Sequence, residues 1–530
     1  MTKRTESSRF LQLITVLLCW TLLTSEVLAN DLERRIHTST LQNGLKILIV
    51  QRHLSPTVSC YIRHRAGSVD EPEGLGGLAH FLEHMMFKGT KTLGTRNYAQ
   101  EKKIMENIRR TGRSLDTERR KEKHADRNRI RTLSLRLGNL QKRQKQLIVE
   151  NEIDRLYREN GGVNLNATTG QDLTSYHVSL PANRIELWAR IESDRIRHAV
   201  FREFYTERDV IMEERRQRIE SDPEGMLYER FLAEAFTVHP YRRPVLGFPD
   251  DQRYLDMAAM RSFYRKYHAP NNTVIAIVGD IDTETVMRLI RKYFSTIPRQ
   301  RNDRPLIIPE PPQRNERRID VTYDARPLIA IGYHKPAPPA FDDYVFDVID
   351  CLLTNGRSSR LYGELIDRRQ IAESVSTHNG IPASRYANLF TIWTAPREPC
   401  SPSELETAVY KELEILKREP VTAKEMERVR NQIRSEWIRY LDSNESLAAI
   451  LSHYVALMGD HRYFTTYLNT IEKVTPADIM RVAGQYLRAE NRTVATLTRS
   501  KEPVLPSFSQ PPCPDTHGNQ QGKGTQDDNR

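Results

Sequence analysis

Two stretches of this chain, 220 residues apart, repeat each other: Met260-Arg261 and Asn271-Asn272-Thr273-Val274 return as Met480-Arg481 and Asn491-Arg492-Thr493-Val494. In each copy an amphipathic segment runs into a β-rich one, so the pattern predicts a helix feeding a strand. Similar alternations lie upstream of both copies, with β-rich runs at 45–50 and 57–63 in the first half and at 328–333 in the second. The repeat therefore predicts an α+β protein of two homologous halves, each a mixed sheet with helices, closing on a chamber. Its 530 residues are also more than one hydrophobic core serves. Residues 299–315 are rich in Arg, Pro and Asn and include Pro311-Pro312, so they read as the linker between halves at 30–298 and 316–501.

Both ends of the chain differ from the middle. Lys3, Arg4 and Arg9 precede an apolar run from Phe10 to Leu23, followed by Val27-Leu28-Ala29. This is the pattern of a secretory signal peptide over residues 1–29, and the run is shorter than the roughly 20 residues that span a bilayer. It predicts export, most simply to a bacterial periplasm. Beyond residue 502 the chain is Pro, Gln, Gly, Asp and Asn without apolar periodicity, which predicts a disordered tail over 502–530. Cys60, Cys351, Cys400 and Cys513 are too far apart for a CxxC motif; both disulfides and solitary thiols are open to them.

Within the first half, residues 102–158 break the alternation. Between 101 and 150 there are 16 Lys or Arg against 7 Asp or Glu, and Ile130, Leu133, Leu137, Leu140 and Leu147 recur at three- and four-residue steps. A basic helical hairpin or coiled-coil protrusion is predicted. Such a segment is either a solvated charged pair or a surface for anionic partners. Peripheral contact with an anionic membrane stays open on this reading, while nucleic-acid binding is not expected.

The residues that carry chemistry are His80-Phe81-Leu82-Glu83-His84, inside an amphipathic stretch. On a helix His80 and His84 lie one turn apart on the same face, where both imidazoles can hold one Zn²⁺. Glu83 lies beside them, placed to take a proton from an activated water and return it to a leaving amine. A third ligand must come from elsewhere in the chain. His-x-x-Glu-His reverses the commoner His-Glu-x-x-His order and is the inverzincin arrangement.

Around this pentad, Arg65-Ala66-Gly67-Ser68-Val69-Asp70-Glu71-Pro72, Gly77-Leu78-Ala79 and Phe87-Lys88-Gly89-Thr90 resemble the insulinase/pitrilysin family of metallopeptidases, in its mitochondrial-processing-peptidase-like branch. Further likeness lies in Gly161-Gly162-Val163-Asn164-Leu165-Asn166-Ala167-Thr168, in Glu207-Arg208-Asp209-Val210-Ile211-Met212-Glu213-Glu214 and in His239-Pro240-Tyr241. The resemblance implies that Glu214 is the third zinc ligand, with Glu207 as an acidic group behind the metal. Glu213, about 100° away around the helix, is the local competitor. It also implies an edge strand of Asn164, Leu165, Asn166, Ala167 and Thr168 that holds an extended peptide by main-chain hydrogen bonds. Between His84 and Glu214 lie 129 residues, more than is usual for the family; the basic insertion accounts for the excess and is expected to protrude without moving the ligands.

The second half has no such pentad, so one Zn²⁺ per chain is expected. The family commonly supplies an Arg and, seven residues on, a Tyr from the half opposite the metal; Ile366 and Glu373 occupy those positions here, and Arg368 or Arg369 is the available substitute. This implies a zinc-dependent endopeptidase of unfolded or short peptides that works with a homologous partner subunit supplying the missing pair, or as a homodimer. The rival reading is a noncatalytic scaffold or chaperone of the same fold that keeps zinc for structure.

Overall fold

The computed structural model describes residues 31–499 except 302 and 305, so the expected signal segment and tail lie outside the described residues. The first half runs through β1 (Ile36–Thr40), β2 (Lys46–Gln51), β3 (Thr57–His64), α1 (Leu78–Met86), α2 (Tyr98–Arg119), α3 (Arg127–Lys145) and α4 (Glu152–Glu159). It continues with β4 (Val163–Thr169), β5 (Thr174–Pro181), α5 (Ile185–His198), α6 (Phe204–Arg215), α7 (Pro223–Ala235), α8 (Met257–Tyr267), β6 (Thr273–Gly279) and α9 (Thr283–Phe294). The second half follows with β7 (Arg317–Tyr323), β8 (Leu328–Lys335), α10 (Phe341–Thr354), β9 (Ala372–Ile381), β10 (Asn388–Pro396) and α11 (Pro402–Arg418). It closes with α12 (Ala423–Asp442), α13 (Asn444–Met458), α14 (Arg462–Glu472), α15 (Pro476–Tyr486) and β11 (Arg492–Arg499).

The two sheets have one plan. In the first the order is β1-β2-β6-β3-β5-β4, and in the second β7-β11-β8-β10-β9. In each, one parallel pair, β2 with β6 and β7 with β11, adjoins an antiparallel run ending on an edge strand, β4 or β9. The repeated Asn-x-Thr-Val stretches open β6 and β11, the strands in equivalent places.

Apolar alternation explains why the sheets are buried on both faces. Along β2, Ile47 and Ile49 point into one core while Leu48 and Val50 point into another, because successive side chains leave a strand on opposite sides. A strand apolar at every position must be covered twice. The first sheet is covered on one face by its own helices and on the other by α13 of the second half, through Leu447, Leu451 and Val455. The second sheet is covered reciprocally by α7 of the first half, whose Leu227 and Phe231 pack against Val321, Ala330 and Leu497. Gly332 in β8 makes this contact possible: a Cβ there would lie 2.5 Å from the Phe231 ring.

Charged groups lock the interlocked halves. Arg385 donates to both carboxylate oxygens of Asp70, at 3.1 and 3.0 Å. Asp172 accepts from the backbone N–H groups of Ser384 and Arg385 and from the Tyr241 hydroxyl. Arg63 of β3 reaches Ser452 and the Ala449 carbonyl of α13. Among the described residues Cys60, Cys351 and Cys400 are free thiols.

Candidate metal centre

The His-x-x-Glu-His pentad occupies α1, whose start is set by two neighbours. Gly77, at a φ of 85°, makes the turn into the helix, and a Cβ there would meet the Leu246 carbonyl oxygen at 2.5 Å. The Glu71 carboxylate accepts from the N–H groups of Gly77 and Ala79, satisfying donors that a helix start leaves open. Leu78, Ala79, Phe81, Leu82, Met85 and Met86 are wholly buried and fix the rotation of α1. His80, Glu83 and His84 are thereby left on the remaining face.

That face looks onto α6. His80 Nε2 lies 3.8 Å from Glu214 Oε1, and His84 Nε2 lies 3.5 Å from Glu214 Oε2. Among the described residues His80, His84 and Glu214 are the one trio of His, Cys, Asp or Glu side chains whose ligand atoms converge, all within 4.8 Å of one another. Donors held about 2.1 Å from a common tetrahedral centre stand roughly 3.4 Å apart, so the spacing and the two-imidazole, one-carboxylate chemistry both fit zinc. Glu213 turns outward instead, to Arg216 and Gln217. Arg218, on the turn after α6, lies 3.1 Å from Glu214 Oε1.

Burial pushes the His80 imidazole down to about 3, so it is neutral and able to ligate. Burial works against a charge on His84 as well, but the Glu207 hydrogen bond and the surrounding carboxylates outweigh it and raise the group. Glu207 Oε1 stands 2.9 Å from His84 Nδ1, and its other oxygen pairs with Lys88 at 2.6 Å. These bonds hold Glu207 below the usual carboxylate range in spite of its burial. Accepting from Nδ1–H directs Nε2 of His84 toward Glu214. Burial raises Glu83, whose Oε2 accepts from the Thr169 hydroxyl at 2.5 Å.

The basic insertion is a helical hairpin, but it does not stand clear of the site. α2 and α3 run antiparallel, with Gln144 against Glu101 at one end and Arg129 against Glu118 at the other. Leu115, Leu137 and Leu140 join the first-half core. Asp116 of α2 forms two hydrogen bonds to Arg208 of α6, and Gly112 gives room to the Tyr205 ring. The hairpin thus braces the helix that carries Glu207 and Glu214.

The expected peptide strand is β4, at the edge of its sheet, running from Val163 past Asn164, Leu165, Asn166, Ala167 and Thr168 to Thr169 beside Glu83. Asn164 reaches across to Glu445 of α13. Thr169 and Lys88 escape a reading of the motifs alone. Lys88 lies four residues beyond His84 at helical spacing and within the family-like stretch Phe87-Lys88-Gly89-Thr90, while Thr169 directly follows the expected strand residues. In the second half Arg368 pairs with Glu364 and is exposed, and Glu373 pairs with Arg326.

Two like α+β halves, one of them bearing a His-His-Glu donor set beside a buried glutamate, form the architecture of a zinc metallopeptidase. The chain belongs to the insulinase family, peptidase family M16: that family description matches residues 46–124 and 146–248, and the M16 inactive-domain description matches 254–433. The chain is 26% identical over 466 residues to the zinc protease PqqE of Helicobacter pylori, covering 86% of this chain and 91% of that protein. A crystal structure of a protease from Helicobacter pylori superposes with a TM-score of 0.73 at 25% identity, over 87% of this chain and 99% of that one. The periplasmic protease PqqL of Escherichia coli shares the fold, with a TM-score of 0.66 at 18% identity, over 89% of this chain and 49% of that one.

Proposed function

We propose that the protein is a zinc-dependent endopeptidase in which His80, His84 and Glu214 hold one Zn²⁺, Glu83 is the general base and Glu207 positions His84. The observation that carries this reading is the convergence of His80, His84 and Glu214 beside a buried carboxylate held by Thr169. A bound zinc ion supplies Lewis acidity, polarising a peptide carbonyl and lowering the pKa of water at the site. Glu83, raised by burial, sits nearer the working pH than an exposed glutamate, which suits a group that takes a proton and later gives it to the leaving amine. A structural zinc site needs no such base.

An extended peptide added to the free edge of β4 runs toward Thr169 and Glu83, and main-chain pairing of this kind reads little sequence. Unfolded or short peptides are the substrates such a groove takes. With Ile366 and Glu373 where the family places an Arg and a Tyr, this chain is the metal-bearing subunit, and a homologous partner, or a second copy, supplies the pair. Export to the periplasm rests on the apolar leader; a fold relative is a periplasmic protease, and no described helix is long and apolar enough to cross a membrane.

The test is zinc content together with hydrolysis of an unstructured quenched-fluorescent peptide library, for wild type and Glu83→Gln, with and without a candidate partner. Expected are one zinc per chain in both proteins and a loss of about 10²-fold or more in kcat for Glu83→Gln. Zinc without hydrolysis under every pairing would establish the scaffold reading instead.

A further inference from the structure

The second half lacks the metal motif, yet the place its topology reserves for one is open. α10, β9 and α12 stand to the second sheet as α1, β4 and α6 stand to the first. Between them lies a cavity of about 450 Å³. Asp347, Asp350 and Cys351 of α10 face it at the same three- and four-residue spacing as His80, Glu83 and His84. The Thr377 hydroxyl of β9 donates to the Asp350 backbone carbonyl at 3.2 Å, where Thr169 of β4 meets the Glu83 carboxylate, and the Cys351 thiol meets Gln432 of α12 at 3.3 Å, as His84 meets Glu207 of α6.

Its chemistry is no longer that of a metal centre. Three carboxylates, Asp347, Asp350 and Glu436, line the cavity, and no Lys or Arg does. Asp347 is satisfied by Asn379 and the Tyr467 hydroxyl, and Glu436, at the exposed mouth, by Asn355 with Arg439 3.6 Å away. Asp350 Oδ1 is shut off from solvent and no donor meets it at full hydrogen-bond geometry, a costly state for a carboxylate oxygen; the neighbouring Thr377 hydroxyl eases its charge but is turned to the Asp350 backbone carbonyl. Lys335, whose charge acts on Asp347, is already paired with Asp343. Burial pushes both Asp347 and Asp350 up to about 7. The acids do not converge as a metal trio does, whereas Trp437, Tyr454 and Phe464 supply aromatic walls. Carboxylates at the base of an aromatic cavity of this size suit an organic cation with an alkyl stem.

We propose that this cavity binds an alkylguanidinium or alkylammonium group, its charge against Asp350 and Asp347 and its stem along the aromatic wall. The basic side chain of a peptide and a free small amine share this chemistry. The site is separate from the metal centre, so its test does not depend on hydrolysis. The full-length zinc-loaded protein is titrated calorimetrically with agmatine, with acetyl-arginine amide and with the uncharged acetyl-citrulline amide. Saturable binding of at least one cation at one per chain is expected, with none for the citrulline compound. Tighter binding of the arginine amide assigns the site to peptide side chains, and tighter binding of agmatine assigns it to free amines. Asp350→Asn is expected to weaken binding at least tenfold, and the outward-facing Glu213→Gln to leave it unchanged. No saturable binding of either cation, equal binding of the citrulline compound, or affinity unchanged in Asp350→Asn would overturn the proposal. If Asp350→Asn does not fold, Glu436→Gln at the exposed mouth carries the same comparison, with a several-fold loss expected and no loss overturning it.

Discussion

Replacing Glu207 by glutamine tests whether the second carboxylate of α6 positions the metal site. In the native protein Glu207 binds His84 Nδ1 at 2.9 Å and Lys88 at 2.6 Å, so it couples an imidazole of the proposed zinc set to a fixed cation. Glu207→Gln keeps the shape but removes the charge that holds the Nδ1–H tautomer of His84 and leaves Lys88 without this partner. Loss of such an outer-shell carboxylate typically costs 10- to 100-fold in metal affinity, or about 1.4–2.7 kcal/mol. The sign with pH also follows. Glu207 raises His84, so proton competition weakens zinc binding as pH falls through that raised value, and in Glu207→Gln the onset of weakening moves to lower pH. The assay is competition against a chromophoric zinc chelator across pH, with Glu213→Gln as the control because its side chain faces Arg216 and solvent. Affinity within twofold of wild type in Glu207→Gln, or an equal loss in Glu213→Gln, would refute the argument.

Three further outcomes can be measured. Arg385→Ala takes one of two guanidinium partners from Asp70, which keeps Arg304, and leaves Asp172 with its Tyr241 and backbone N–H donors; with Arg385 and Asp70 at 3% and 2% side-chain exposure, the loss is about 1.5–3 kcal/mol by denaturant unfolding, and a loss under about 0.5 kcal/mol would show the latch to be dispensable. Gly332→Val drives a side chain into Phe231 and is expected to cost about 1–3 kcal/mol; an unchanged melting temperature would mean that α7 moves away freely. Burial raises Asp350 from 3.8 to about 7, so between these values the folded protein holds a proton that the unfolded chain releases, and stability falls as pH rises through that window. Asp350→Asn should therefore raise the melting temperature at pH 8, with the gain shrinking toward pH 4; a gain independent of pH would contradict the assignment.

Much of the candidate site was legible because helical spacing is a local property. His80, Glu83 and His84 share a face whatever surrounds the helix, and the offset of Glu207 from Glu214 places both on one side of α6. The duplicated Asn-x-Thr-Val stretches likewise announce two like halves, and both sheets follow one strand order. The insertion was legible as helices but not as a brace. The Asp116–Arg208 contact joins residues 92 positions apart, and charge composition cannot distinguish a carboxylate that faces water from one that faces a buried guanidinium.

Strand alternation by itself determined that β2 and β6 are covered on both faces, because every second side chain leaves a strand on the opposite side and both sets are apolar. Which helices cover them was decided only in the tertiary structure, where each half lends one helix to the other's sheet, since apolar surface attracts without direction and carries no address. In the same way local periodicity assembled two donors of the candidate trio, and packing alone brought Glu214 to them across 129 intervening residues.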